Sequence, residues 1–213
     1  MKKIFTYDKY NFNLYDVTTS IIFNDERAKK KILNVLPLDD YTFIDSKVTY
    51  YNISIKEYLS LFGFKMNLVP FFNLHHILNK KISTLDLPTI IYIKIISMLC
   101  SSKSIVIFDD VLSFLSDEQK NKIIEYINMK KVRFINVTSD IEDTLYSEYL
   151  IVLTNSGVAI EGNTKDVLNE EKILKRLGFN LPFVVDLSIQ LQSYEVIDKV
   201  YYDLDGLVSE LWK

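Results

Sequence analysis

A short apolar run that ends in two carboxylates constrains the fold of this chain more than any other feature. Residues 105 to 108 are apolar and mostly β-branched, and Asp109 and Asp110 follow directly. Such a run is typical of a strand that is buried in a parallel sheet. Ligands of open α/β sheets bind at the carboxyl ends of the strands. The run therefore predicts an α/β fold with a ligand-binding edge here, although a solvated turn after a core strand also explains the two acids.

Length and composition set the limits of the fold. The chain has 213 residues, of which 48% are hydrophobic and 25% are charged. These values predict one folded domain, with or without a small appendage. A net charge of −3 argues against a nucleic-acid partner. Cys100 is the single cysteine, so no intramolecular disulfide can form. The amino-terminal segment lacks the apolar core of a signal peptide, and the most apolar stretch, residues 85–100, contains Lys94 and is too short to span a bilayer.

Local patterns predict where helices and strands lie. Ser54 with Glu57, and Ser116 with Gln119, form capping boxes that mark helix starts. Apolar periodicity and β-branched runs supply the other elements. We expect strands at residues 3–7, 18–23, 105–108, 132–138 and 149–153, and helices at 28–36, from 54, at 89–100 and from 116 to about 129.

The run at residues 104–116 resembles the Walker B and D-loop segment of ATP-binding-cassette (ABC) ATPases, in which an apolar strand ends in Asp-Glu. In this frame Asp109 falls on the metal-holding aspartate, Asp110 on the catalytic glutamate and Ser116 on the D-loop aspartate. The later segment NSGVAIEGNTKDVL resembles the hairpin and helix near the end of the family's domain. The resemblance implies an α/β fold, with an ABC-ATPase-like parallel sheet core and a helical subdomain.

The carboxyl-terminal part resembles the small helical extension of energy-coupling factor (ECF) ATPases, the paired cytoplasmic subunits of vitamin and metal importers. The segments LKRLGFNLPFVVDLS and YYDLDGLVSELW carry this likeness. It implies a degenerate ABC ATPase-like domain at residues 1–169 and a dimerisation-type extension at 170–213. A local core for a small appendage is the alternative explanation of the extension's apolar residues. The residues expected to line a helical interface are Phe183, Val184, Leu187 and Leu191.

The junction FNDERAKKK stands where the family has its phosphate-binding loop. That loop needs glycines so that backbone N–H groups can surround phosphates, a lysine, and a hydroxyl for magnesium. Lys29 falls on the loop lysine. Side chains at the glycine positions block the approach of phosphate, and lysines replace the hydroxyls. The residues at the three glycine positions are Phe23, Glu26 and Ala28, and those at the hydroxyl positions are Lys30 and Lys31.

The other nucleotide motifs of the family are also altered. Residues 85–89 fall on the signature sequence Leu-Ser-Gly-Gly-Gln, where Asp86 brings a negative charge and Pro88 removes an N–H. Ser139 replaces the switch histidine, and Asp45 falls on the glutamine of the Q-loop.

The resemblance implies ATP and Mg²⁺ as cofactors, with Lys29, Asp45 and Asp109 at the nucleotide and Asp109 at the metal. Asp110 and Ser139 would occupy the catalytic positions. Because most phosphate contacts are lost, we expect no ATP hydrolysis and a structural or regulatory role beside another ABC ATPase subunit and a transmembrane coupling protein. The expected location is the cytoplasm, at the inner face of the cell membrane through partner subunits. Two alternatives stay open, namely a functional ATP-binding subunit of an importer and a protein-binding module unrelated to transport.

Overall fold

The structure is a computed structural model that describes residues 1–36, 41–102 and 104–212. The chain divides into two compact units. The first contains Met1–Val35 and Ser139–Lys213, and the second contains Leu36–Thr138. The first unit is therefore built from both ends of the chain, and the second from its middle.

The described residues form eight strands and eight helices of at least five residues, together with short 3-10 turns. The strands are β1 (Lys3–Tyr7), β2 (Phe12–Tyr15), β3 (Thr19–Phe23), β4 (Thr42–Ile44), β5 (Ile105–Asp109), β6 (Arg133–Thr138), β7 (Tyr149–Thr154) and β8 (Gly157–Asn163). The helices are α1 (Glu26–Leu33), α2 (Ile55–Ser60), α3 (Leu87–Cys100), α4 (Asp117–Lys130), α5 (Thr164–Leu168), α6 (Glu171–Arg176), α7 (Phe183–Ser193) and α8 (Leu204–Leu211).

The second unit contains the parallel strands that the apolar run predicts. Strand β5 pairs in parallel with β4 on one side and with β6 on the other. Val106, Ile107 and Phe108 in β5 are fully buried, because a parallel strand between two others is covered on both faces. Helices α2, α3 and α4 belong to the same unit. This arrangement confirms the predicted α/β class with a parallel sheet core.

The helix starts in the second unit follow their sequence signals. Both capping boxes form as predicted, at Ser54 for α2 and at Ser116 for α4. Helix α3 begins two residues earlier than expected, at Leu87, because the Asp86 side chain accepts a hydrogen bond from the Thr89 N–H and caps the helix. Strand β4 was not expected, since three residues are too few to show an alternating pattern.

The first unit combines an antiparallel hairpin with a mixed sheet. Strands β1 and β2 form the hairpin, β3 pairs in parallel with β7, and β7 pairs antiparallel with β8. The sequence analysis does not predict strand β2, because Asn and Asp around it indicate a turn. Gly157 at the β7–β8 turn has φ +127, and a Cβ there would lie 2.9 Å from the carbonyl oxygen of Tyr10. Glycine is therefore required at this position.

The carboxyl-terminal helices contribute to the core of the first unit. One buried cluster contains Ile22 and Leu150 from the sheet together with Leu174, Val184 and Leu207 from α6, α7 and α8. The prediction that Val184 lines a helical interface is therefore wrong, because this side chain packs against the sheet core. Leu187 and Leu191 are partly buried against the same cluster, whereas Phe183 is exposed. The division at residues 169 and 170 stays a prediction.

Candidate functional site

The two carboxylates after the apolar run lie at the carboxyl end of β5, as the sequence predicts. Asp109 is the last residue of the strand and is half-buried, and its Oδ1 atom is shielded from solvent. Asp110 adopts φ +55, a left-handed conformation that aspartate tolerates better than most residues. Its N–H donates to the Val137 carbonyl oxygen at 2.8 Å, and Thr138 Oγ1 donates to its Oδ1 at 3.4 Å. The ends of β5 and β6 thus position the acids together.

Asp45 is held by a lysine that the sequence analysis did not assign to the site. Lys94 in α3 donates to Asp45 Oδ1 at 2.6 Å, to the Asp45 carbonyl oxygen at 2.7 Å and to the Lys47 carbonyl oxygen at 2.8 Å. The side chains of Lys94 and Asp45 are 21% and 23% exposed. All three protons of the ammonium are therefore used within the unit. A signal existed in the sequence, since Lys94 is the only charged residue in an otherwise apolar helix.

Lys29, the expected phosphate-binding lysine, lies over an aromatic ring. Its Nζ is 5.2 Å from the centroid of the Phe23 ring. Phe23 ends β3 and is only 4% exposed. This distance is within the range of a cation–π interaction. The residue at the first glycine position of the family loop thus contacts the lysine.

The amino terminus of α1 is occupied by a carboxylate from the chain itself. Asp25 Oδ1 accepts from the Arg27 N–H at 2.7 Å, and the Asn155 side chain donates to Asp25 Oδ2. The Arg27 hydrogen bond, followed by that of Asn155, lowers the pKa of Asp25. Lys31 Nζ reaches the Asn155 carbonyl oxygen at 3.5 Å. Helix amino termini attract anions, and here that attraction is satisfied by Asp25.

The helix after the signature position shows the same arrangement. Asp86 Oδ1 accepts from the Thr89 N–H at 3.1 Å and caps α3. Hydrogen bonds from Thr89, first from its side chain and then from its backbone, lower the pKa of Asp86. Pro88 fits the first turn of the helix, where its missing N–H costs little. The helix is therefore kept while its amino terminus carries an internal negative charge.

The residues at these positions differ from those that the family uses for a triphosphate with magnesium. Each glycine position of the expected loop carries a side chain, and a carboxylate caps α1. Within the described ranges, no group of three or more His, Cys, Asp or Glu side chains could hold a metal. Lys29 belongs to the first unit and the pair Asp109–Asp110 to the second. Ser139 is exposed directly after β6, and its catalytic role stays a prediction.

Solved structures similar to this chain define its class of fold. The cbiO1 protein from Clostridium perfringens, part of the ABC transporter complex cbiONQ, matches with a TM-score of 0.59 and 14% identity over 79% of this chain and 86% of that chain. A second structure, an ATP-binding subunit of an ABC transporter, matches with a TM-score of 0.59 and 15% identity over 95% and 92% of the two chains. The fold is that of an ABC ATPase cassette.

Proteins similar to this chain in sequence include ATP-binding proteins of ECF transporters. The ECF transporter ATP-binding protein EcfA1 of Mycoplasmopsis synoviae (strain 53) is 28% identical over 125 residues, which are 57% of this chain and 46% of the relative. EcfA1 of Staphylococcus aureus (strain USA300) is 22% identical over 205 residues, 88% of this chain and 72% of the relative. No family model matches the chain. The resemblance to ECF-type ABC ATPases is confirmed, although the match spans less than half of the first relative.

None of the helices in residues 1–36, 41–102 and 104–212 is both long enough and apolar enough to cross a membrane.

Proposed function

We propose that this chain is a catalytically degenerate, ECF-type ABC subunit that acts as a structural or regulatory partner of a transporter's ATPase module. The contact between Lys29 and Phe23 carries the proposal. In an active phosphate-binding loop the lysine must be available to phosphate oxygens, and the backbone beside it must be uncovered. Here the ammonium lies over a buried phenylalanine at a glycine position.

The two capped helices support the same conclusion by electrostatics. Asp25 and Asp86 place a carboxylate at the amino termini of α1 and α3. A triphosphate brought to either terminus would meet a like charge and would compete for N–H groups that already have acceptors. Hydrolysis needs positioned phosphates and an oriented water, and both are lost together when the phosphates cannot bind.

The partners follow from the relatives' printed names. The relatives are ATP-binding proteins of ECF transporters, and cbiO1 is part of a transporter complex. We infer that this chain associates with another ABC ATPase subunit, as a homodimer or heterodimer, and with a transmembrane coupling protein. It would then lie in the cytoplasm, at the inner face of the membrane through these partners.

Nucleotide binding and hydrolysis test the proposal directly. The purified wild type is titrated with a fluorescent ATP analogue and Mg²⁺, and phosphate release is measured in parallel, with Lys29→Ala as the matched variant. We expect no saturable binding at millimolar nucleotide and no hydrolysis by either protein. Saturable binding that Lys29→Ala abolishes would contradict the proposal.

A functional ATP-binding subunit is the second candidate, and the acid pair favours it. Asp109 and Asp110 keep their position at the carboxyl end of β5, with Thr138 donating to Asp110. In this role Asp109 would hold magnesium and Asp110 would orient a water, with Ser139 directly after Thr138 in sequence. Thermal stabilisation of the wild type by Mg-ATP, but not of Asp109→Asn, would support this candidate, because a ligand that binds only the native state raises Tm.

A protein-binding module unrelated to transport is the third candidate. Exposed apolar side chains in the carboxyl-terminal region favour a binding role of some kind. Recovery of the intact chain from its cells without any membrane subunit would favour this candidate over the first.

A further inference from the structure

Helix α8 displays an apolar stripe that is only partly covered by its own unit. Leu204, Leu207, Val208 and Leu211 follow the i, i+3, i+4, i+7 spacing of one helix face. Leu207 is buried in the core cluster, with 1% of its surface exposed. The other three are 56%, 42% and 43% exposed, and Trp212 beyond them is 85% exposed. We call Leu204, Val208, Leu211 and Trp212 the α8 face.

The helix that carries this face is firmly held. Asp203 caps α8 by accepting from the Gly206 N–H at 2.6 Å, and Tyr201 donates its hydroxyl to Glu210 Oε2 at 2.6 Å. A Cβ on Gly206 would lie 2.9 Å from Asp203 Oδ1 and 3.1 Å from the Tyr201 ring, so the backbone is closely packed there. The α8 face is therefore pre-organised, and a partner would not have to order it.

Acids outnumber bases in the segment that carries the face. Residues 194–213 contain five acids, at positions 195, 198, 203, 205 and 210, and two bases, Lys213 and Lys199, of which Lys199 lies over the Tyr201 ring. At about 100° per residue, Asp205 lies roughly 60° from Val208, on the outer margin of the stripe. A second copy docked face to face would bring acids close to acids, whereas a basic rim would complement them.

We propose that the α8 face binds an amphipathic helix of a different protein, with a leucine-type stripe flanked by lysine or arginine. The inference rests on the proposed function, since it assigns a surface and a chemistry to the partner of a structural subunit. Apolar burial supplies affinity, and the acidic rim selects a basic partner over a second copy of this chain.

Trp212 provides the readout, because it is the only tryptophan in the chain. The full chain is titrated with a tryptophan-free, 18-residue model peptide that has leucine on one helical face and lysine elsewhere, and with the same peptide carrying glutamate for lysine. We expect a saturable blue shift of Trp212 emission with the lysine peptide. The glutamate peptide should bind at least tenfold more weakly, and the affinity for the lysine peptide should fall at 1 M salt.

Two matched variants locate the binding. Val208→Asp on the α8 face should weaken binding of the lysine peptide at least tenfold. Leu61→Asp, at a 74% exposed leucine in the second unit, should leave this binding unchanged. Circular dichroism checks that both variants are folded. Asp205→Lys should weaken binding of the lysine peptide at low salt and should reduce the ratio of the affinities for the lysine and glutamate peptides.

Several outcomes would overturn the proposal. These are the absence of a shift with the lysine peptide, equal binding of both peptides, and equal loss in Val208→Asp and Leu61→Asp. A dimer of the wild type with a concentration-dependent blue shift would assign the face to a second copy. Because no nucleotide is present, these failures are distinct from failure of the proposed function, which only ATP binding or hydrolysis would reveal.

Discussion

At several positions of the family's nucleotide-binding motifs, this protein has a side chain of a different chemical type. The sequence shows that Phe23 replaces a glycine of the family loop while Lys29 falls on the loop lysine, but the placement of the ammonium over the ring required the structure. Asp45 was identified from its position in a family frame, whereas its partner Lys94 lies 49 residues away. Lys94 stands out in sequence as the single charge of α3. Its pairing with a residue so far away leaves no local pattern, which is why sequence reasoning did not assign Lys94 to the site.

The Lys94 contacts predict a large effect of a single substitution. Lys94→Met keeps the aliphatic stem but removes the ammonium from Asp45 Oδ1 and from two carbonyl oxygens. The Lys47 N–H, at 3.3 Å from Asp45 Oδ1, remains. We expect a loss of roughly 2 kcal/mol in the free energy of unfolding, since hydrogen bonds to charged groups are worth about 1.5–3 kcal/mol. Urea unfolding measures the loss, and hydrogen exchange should show faster opening of residues 45–51.

Lys47→Met is the matched control for that substitution. The Lys47 side chain is 92% exposed and its Nζ lies 4.0 Å from Asp45 Oδ2. Exposed pairs of this kind contribute little, so the free energy of unfolding should change by no more than about 0.5 kcal/mol. Equal losses in the free energy of unfolding of the two variants would show that the half-buried contacts of Lys94 contribute no more than the exposed pair of Lys47.

At the scale of elements, capping boxes predicted two helix starts and apolar runs predicted five of the strands, whereas local signals failed where an element is short or tied by distant contacts. Capping boxes depend on residues three apart, so α2 and α4 were located from sequence alone. Strands β2 and β4 have four and three residues, too few for a periodic pattern. The burial of Val184 depends on the sheet of the first unit, and no pattern within α7 indicates it.

The cap of α3 predicts a pH dependence of stability. Hydrogen bonds from Thr89 lower the pKa of Asp86 below its ordinary value of 3.8. A lowered pKa in the folded state gives stability that is present above the unfolded value and is lost as pH falls through the folded value. Asp86→Asn keeps a capping side chain without the charge. We expect the wild type to be more stable than this variant at pH 7, by roughly 0.3–1 kcal/mol.

The advantage of the wild type should shrink as the pH falls below 3.8, the ordinary value, and should disappear below the lower pKa of the folded state, because Asp86 is then protonated in the folded state as well. Urea unfolding at pH 7, 5 and 3 measures the difference. Asp198→Asn, in the exposed segment between α7 and α8, controls for the loss of one negative charge. A difference between wild type and Asp86→Asn that is the same at pH 7 and pH 3 would contradict the assignment of Asp86 as a charged cap.

At the scale of the molecule, the sequence predicted the class of fold. The family frame places a boundary between residues 169 and 170, between the ATPase-like part and the extension, and this boundary stays a prediction. The contacts group Ser139–Lys213 with Met1–Val35, which the sequence analysis did not anticipate. Such a grouping depends on which apolar faces meet, and a linear pattern does not contain that information.

Deletion of residues 170–213 is predicted to destabilise the first unit. The deletion removes Leu174, Val184 and Leu207, and it exposes Ile22 and Leu150, which are fully buried in the intact chain. Loss of large core side chains costs about 2–5 kcal/mol each, so we expect the shortened chain to aggregate or to unfold at a much lower temperature. A shortened chain that keeps the wild-type Tm would show that the extension is an independent module.

The construction of the first unit from both ends of the chain also affects how the protein is made. Leu36–Thr138 is continuous, so it can begin to fold as soon as it leaves the ribosome. Met1–Val35 emerges before this segment, yet β7, the partner strand of β3, is synthesised after it. At about 5–20 residues per second, residues 139–212 take roughly 4–15 s to appear. During that time β3 lacks its partner strand β7, so we expect chaperones to bind the nascent chain in this interval.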